Sequence, residues 1–285
     1  MKFMSYRTQA GVGLAVDSGD GYVGVVEGQP GYPGTLLSLV EAGGDALATA
    51  GAALRDQGQP VDPAQVTLLP PLLPGKILCV GLNYADHAAE SNMAVPEVPT
   101  LFSRFAASVV APGAPIRLPR VSAALDYEGE LAVVIGTAGR YIAKEAALDH
   151  VAGYAAFNDA SIRDYQLRTP QWTIGKNFDG TGPFGPVMVT ADALPPGASG
   201  LKIETRLDGE VMQKSSTDQL IFDVATLIAS ISEAMALEPG DVIITGTPAG
   251  VGGARKPQRF MRAGEVCEIE IEGIGILSNP VVADA

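Results

Sequence analysis

The chain has 285 residues, is 47% hydrophobic and carries a formal charge of −13 at pH 7. It is long enough to bury a large core. Its acidic balance argues against a nucleic-acid or anionic-membrane surface, since both call for a basic patch, but not against an anionic small molecule in a locally positive pocket.

No apolar run approaches membrane-spanning length, and the start, Met1 to Arg7, lacks the apolar core of a secretory signal. The two cysteines, Cys79 and Cys267, are far apart and form no C-x-x-C pair, as small core residues in a reducing compartment would. A cytoplasmic location follows as the expectation. Residues 11–27 read as a hairpin whose arms flank Asp17-Ser18-Gly19-Asp20-Gly21, a run of turn formers. Helical patterns follow at about 35–41 and 45–56, and prolines at 60, 63, 70, 71 and 74 then mark a boundary. The expected organisation is a small N-terminal α+β module, 1–72, and a larger strand-rich α/β domain, 73–285. The module shows no chemistry of its own.

The larger domain opens with a buried strand, Lys76 to Gly81. Beyond it, Asn83 to Glu90 suggests a short helix on which His87 and Glu90 are neighbours at i and i+3. A carboxylate beside an imidazole is a common general-base arrangement, although the same spacing also serves surface ion pairs. Residues 91–124 are rich in proline and loop-like. The stretch Leu125 to Gly136 then places carboxylates at 126, 128 and 130 ahead of a β-branched and aliphatic run. In an extended chain those three side chains point the same way, and like charges entering a core call for water or a hard divalent cation.

A short amphipathic piece, Ala143 to His150, leads to another buried strand, Val151 to Phe157, ending at Asn158 and Asp159. A helical segment begun at Asp159 or Ala160 would carry Arg163 and Gln166 on one face with the acid. His150 has no acid, cysteine or second histidine arranged around it and reads as structural or exposed. Lys176 stands alone among small and aromatic residues, the pattern of a solvated lysine. Residues 201–213 look like a hairpin, and Phe222 to Leu237 is the clearest helix, with a core-facing stripe of Val224, Ile228, Ile231 and Met235. Asp241 to Ile244 forms a strand leading into Thr245-Gly246-Thr247-Pro248-Ala249-Gly250-Val251-Gly252-Gly253. That loop can present backbone N–H groups to a carboxylate or phosphate, but it is no Walker A loop. Cys267, Ile269 and Ile271 alternate with glutamates, as in a half-solvated strand.

Taken in order, Gly-x-Asn-Tyr-x-x-His-x-x-Glu, Asp-x-Glu-x-Glu-Leu, Asn-Asp-x-x-x-Arg-Asp-x-Gln, Gly-Lys-x-Phe-Asp and Thr-Gly-Thr-Pro-x-Gly-Val-Gly resemble the fumarylacetoacetate hydrolase family from about Lys76 onward. The resemblance implies a rolled, mixed β-structure with an accessory N-terminal domain, and a homodimer. It implies Glu128, Glu130 and Asp159 as ligands of Mg²⁺ or Mn²⁺, with Asp126 outside that set. His87 and Glu90 would activate water from a lid helix, with Lys176 stabilising an enolate. Arg163, Gln166 and Thr247 would hold a keto-acid substrate. The reaction expected is hydrolysis of a 2,4-dioxo acid to pyruvate and a carboxylic acid. Alternatives are decarboxylation of oxaloacetate-type acids, isomerisation of hydroxymuconate-type dienes, or non-catalytic ligand binding. Arg104 departs from the Lys-Pro-x-Ser of relatives, which is expected to affect distal substrate contacts and not the metal site.

Overall fold

The computed structural model describes residues 1–90 and 94–284, so Ser91 to Met93 of the loop-rich stretch lie outside the described residues. Strand pairing begins at once, with β1 (Lys2–Thr8), β2 (Gly11–Asp17) and β3 (Tyr22–Val26). The β2–β3 hairpin is the one its turn formers indicate. β1 is not evident from sequence because Lys2, Ser5, Arg7 and Thr8 interrupt its apolar residues. Helix α1 (Leu36–Ala42) is capped by Thr35, whose side chain accepts the Ser38 N–H at 3.1 Å. Helix α2 (Ala46–Gln57) turns Ala50 and Leu54 inward. Short strands β4 (Gln59–Val61) and β5 (Thr67–Leu68) occupy the proline-rich segment.

Next come β6 (Ile77–Gly81), α3 (Ala85–Glu90), β7 (Thr100–Arg104) and the short β8 (Val109–Val110), β9 (Ile116–Leu118) and β10 (Leu125–Asp126). The central hairpin follows, β11 (Gly129–Ile135) and β12 (Val151–Asn158), joined through 3₁₀ turns over Lys144–His150. Past Asp159 the chain stays extended as β13 (Ser161–Ile162). Helix α4 (Arg163–Gln166) therefore begins later than the Asp159 or Ala160 start considered from sequence. Then come α5 (Thr173–Lys176), β14 (Gly182–Thr190), and the hairpin β15 (Lys202–Leu207) and β16 (Glu210–Ser216). Helix α6 (Val224–Ala234) is shorter than its hydrophobic pattern. Asp223 caps its start, and Met235 already has extended backbone at its end. β17 (Val242–Ile244), β18 (Val266–Ile271) and β19 (Gly275–Ala283) complete the chain.

Among the described residues, one twelve-stranded sheet runs β4-β3-β2-β1-β14-β12-β11-β17-β6-β7, with β5 beside β1 and β8 beside β14. Pairing of Lys2 with Val189 and Phe3 with Met188 makes the N-terminal strands continuous with those of the larger part. A five-stranded sheet, β16-β15-β18-β19-β9, packs on one face of this layer. The protein is thus a mixed α/β, strand-rich fold with a small N-terminal part.

β11 is buried on both faces, which is why its sequence is an unbroken apolar run and not an alternation. Leu131, Val133 and Ile135 pack with Ile203, Leu207 and Ile269 of the smaller sheet, while Ala132 and Val134 pack with Phe3, Leu36 and Leu54. Cys79 and Cys267 are buried and unpaired, and burial pushes the Cys267 thiol up to about 12. No helix of the described residues is long and apolar enough to cross a membrane.

Candidate active site

The β11–β12 register brings the acids together. Gly129 pairs with Asn158, and the Asp159 N–H donates to the Glu128 carbonyl at 2.9 Å, so the residues flanking that pair meet at one end of the hairpin. Glu128, Glu130 and Asp159 are all buried, each with a carboxylate oxygen within 4.8 Å of the others. Asp126 does not point with them. The strand is interrupted between β10 and β11, and the Asp126 carboxylate turns to accept the N–H groups of Gly252 (2.7 Å) and Gly253 (2.8 Å) and the Arg163 Nε (2.7 Å).

Three cations enter this cluster. Lys176, far from being solvated, is 1% exposed and places Nζ 2.6 Å from both Glu128 and Asp159. Arg163 pairs with Asp126 and, at 2.7 Å, with Glu128, and its Nη1 donates to Gln166 at 2.9 Å. Arg104 is the third, and its position corrects the sequence expectation. It is buried against the metal-ligand candidate itself, 2.6 Å from Asp159, and further held by Ser108, Thr181 and the Ala160 carbonyl. A guanidinium fork can satisfy all four acceptors, which a lysine ammonium with three donors cannot.

Burial opposes ionisation of Glu128, but Lys176 and Arg163 outweigh it and hold its carboxyl down to about 2. Glu130 has no such partner. Among the described residues no Lys or Arg pairs with it; burial, Asp159 and Glu128 push its carboxyl well above the usual range, against a hydrogen bond from the Gly246 N–H. Gly246 has φ 104°, a conformation suited to glycine, and this aims its N–H at Glu130.

A buried carboxylate lacking a countercharge in an all-oxygen donor set is what a hard divalent cation neutralises. The residues present fit such an ion. The absence of His and Cys from the set points away from a zinc-type site.

His87 and Glu90 stand on α3 at the rim. His87 is 9% exposed, with Nδ1 3.6 Å from Glu90. The Glu90 carboxylate accepts the Gly250 N–H at 3.0 Å, tying the helix to the loop after β17. The base of α3 is fixed by Asn83, whose side chain bonds the Thr245 carbonyl and both the N–H and carbonyl of Phe222.

The nine site residues that the family resemblance implied line one cavity of about 450 Å³: His87, Glu90, Glu128, Glu130, Asp159, Arg163, Gln166, Lys176 and Thr247. The Thr247 hydroxyl is engaged by protein, donating to the Gly129 carbonyl and accepting from Gln213 at 2.8 Å. Gln213 also receives the Gly129 N–H at 3.0 Å. Neither Gln213 nor Asn83 carries a local sequence signal, since their partners lie far along the chain. A second hollow of about 390 Å³, between α1–α2 and Thr137, holds no comparable cluster among the described residues.

Residues 76–282 match the family described as fumarylacetoacetate (FAA) hydrolase, C-terminal. The chain belongs to this family. Within it, the chain is 42% identical over 274 residues to a mitochondrial oxaloacetate tautomerase of Xenopus laevis, covering 95% of this chain and 86% of the relative. A fumarylacetoacetate hydrolase from Exiguobacterium antarcticum superposes with a TM-score of 0.88 at 39% identity, covering both chains fully. The 5-carboxymethyl-2-hydroxymuconate delta-isomerase of Mycobacterium smegmatis gives 0.80 at 33%, again with full coverage of both. As a member of the fumarylacetoacetate hydrolase family with a buried Glu/Glu/Asp cluster, the protein is a metal-dependent enzyme of that family.

Proposed function

We propose that the protein catalyses keto–enol tautomerisation of 2-keto acids with a hydrogen on C3, using Mg²⁺ or Mn²⁺ held by Glu128, Glu130 and Asp159. The observation that carries this reading is the similarity, over nearly the whole chain, to oxaloacetate tautomerases. The muconate isomerase likeness supports the same class of proton shift. The hydrolysis expected from His87 and Glu90 uses the same pair as a base towards water, whereas in tautomerisation that base acts on a C–H bond.

When bound, the cation supplies electron withdrawal at the keto-acid end, which acidifies the C3 proton. His87 takes that proton, with Glu90 3.6 Å from its Nδ1 to orient the ring. The hydrogen bond from Gly250 holds Glu90 in place. Lys176 keeps a positive charge next to the developing enolate oxygen. Arg163 is committed to Asp126, Glu128 and Gln166, so its part is to position; its bond to the Gln166 Oε1 leaves that side chain's amide N–H groups for a ligand. Proton delivery to the C2 oxygen completes the shift with no net change in composition.

The test follows enol-oxaloacetate by ultraviolet absorbance above the buffer rate, with Mg²⁺ and with EDTA, while pyruvate is assayed in parallel. Metal-dependent loss of enol without pyruvate is expected. His87→Ala should lower kcat by about 10²–10⁴-fold, the usual worth of a general base, while leaving Mn²⁺ affinity unchanged. Pyruvate release at the rate of enol loss would replace this reading with decarboxylation. Cleavage of acetylpyruvate with no tautomerase activity would restore hydrolysis.

A further inference from the structure

One wall of the cavity is left unexplained by proton transfer at the keto-acid end. Phe102 on β7 faces Lys176, whose Nζ lies 5.2 Å from the ring centroid. One step further from the carboxylates, Trp172 meets Phe102 edge-on, with ring centroids 5.4 Å apart at 70°. Trp172 then closes on the backbone at Gly81, where an added Cβ would fall 2.3 Å from its six-membered ring. Glycine at 81 is what lets the indole lie there. Phe102 and Trp172 are both only half-buried, so their free surfaces face the cavity they line.

Charge is arranged in the opposite sense. Among the described lining residues the only cations are Arg163 and Lys176, and both are committed to carboxylates at the metal end. Leu82 follows Gly81 beside the aromatic wall, and the cavity's remaining lining includes Val251 and Ala254, with Gln258 supplying polarity but no charge. A second carboxylate placed here would lose its hydration without gaining a countercharge, which is costly. A phenyl or branched alkyl group would gain apolar burial and ring stacking.

We infer that this wall is an aromatic subsite that selects 2-keto acids bearing an uncharged, apolar group on C3, aryl above all, over dicarboxylates. The inference rests on the tautomerase reading for the reaction and names the substrate class. The step is unchanged: a C3–H bond breaks, an O–H bond forms on the C2 oxygen, and no co-reactant is needed.

Trp172 is the only tryptophan in the chain, so its emission reports occupancy of the subsite independently of turnover. The holoenzyme is titrated with two unreactive 2-hydroxy acids, 3-phenyllactate and malate. The first is expected to change Trp172 emission and to bind at least ten-fold more tightly. By calorimetry, Trp172→Ala should erase that preference by weakening 3-phenyllactate and leaving malate unchanged. Kinetically, kcat/KM for phenylpyruvate enol should exceed that for oxaloacetate enol, and Trp172→Ala should collapse the ratio. Malate binding as tightly as 3-phenyllactate, or a ratio indifferent to Trp172→Ala, overturns the subsite while leaving the reaction intact. Selective binding of 3-phenyllactate without tautomerisation of either enol supports the subsite and overturns the reaction.

Discussion

Asp159 is gripped at both oxygens, Lys176 on Oδ2 and Arg104 on Oδ1, each at 2.6 Å. Its orientation towards Glu128 and Glu130 is therefore fixed before any ion arrives. Arg104→Lys keeps a positive charge but not the fork, leaving some of the four acceptors unpaired. Groups that orient a metal ligand are commonly worth about 10–100-fold in affinity. Mn²⁺ binding followed by electron paramagnetic resonance should weaken within that range. Arg104→Met breaks a buried pair outright and should cost about 3–5 kcal/mol in urea unfolding.

Glu130 has the opposite electrostatic situation, with burial and two neighbouring acids raising its pKa. The folded, metal-free chain then holds a proton that the unfolded chain has released. Stability contributed by this group is present at low pH and is lost as pH climbs from the ordinary carboxylate value towards the raised one. Glu128 acts in the other sense, contributing stability that is lost only as pH falls towards its value of about 2. Thermal unfolding in EDTA should show the loss with rising pH, and Glu130→Gln should flatten it while abolishing Mn²⁺ binding. An unchanged slope in that variant would remove Glu130 as the source.

At the scale of elements, α3 spans Ala85 to Glu90 and is too short to be stable alone. Its place is dictated by Asn83 behind it and by the Gly250 N–H on Glu90 ahead of it. Asn83→Ala would leave the Phe222 N–H and two carbonyls without their side-chain partners, a cost of about 1–3 kcal/mol. Amide exchange in α3 should quicken and kcat/KM should fall, while Mn²⁺ affinity stays at the wild-type value because the carboxylates are on other elements. Elements whose faces are set locally were legible in the sequence: the β2–β3 hairpin, α1, α2, and the doubly buried β11. The helical start considered at Asp159 or Ala160 is too early for α4, because pairing of β13 with β10, an interaction between distant segments, keeps residues 161 and 162 extended.

Across the whole molecule, the shared sheet makes residues 1–72 part of the core. They cover Ala132, Val134, Phe157 and Met188 and occupy the edge of β14 next to β1. Deleting them should yield aggregated protein by size-exclusion chromatography with light scattering, since it exposes both an apolar face and an unpaired strand edge. A monodisperse, folded product would instead make the first 72 residues a separable accessory unit.

The acids, the lid pair and the loop after β17 were readable because each motif is contiguous. What holds them was not: Arg104 reaches Asp159 across 55 positions and Gln213 reaches Gly129 across 84. A side chain's role in such a bond is defined only once the chain has folded, so Arg104 read as a distal departure when it braces the centre.

The acids and the aromatic wall also differ in where they are rooted. Glu128, Glu130 and Asp159 flank or occupy the hairpin at the middle of the large sheet, whereas Phe102 lies on β7, at its end, and Trp172 precedes the single turn of α5. A substitution at the centre disturbs the strands that carry the main sheet, whereas one at 102 or 172 meets only its last strand and the start of a single helical turn. The wall is thus a part that protein engineering can exchange while the acidic centre is left as it stands.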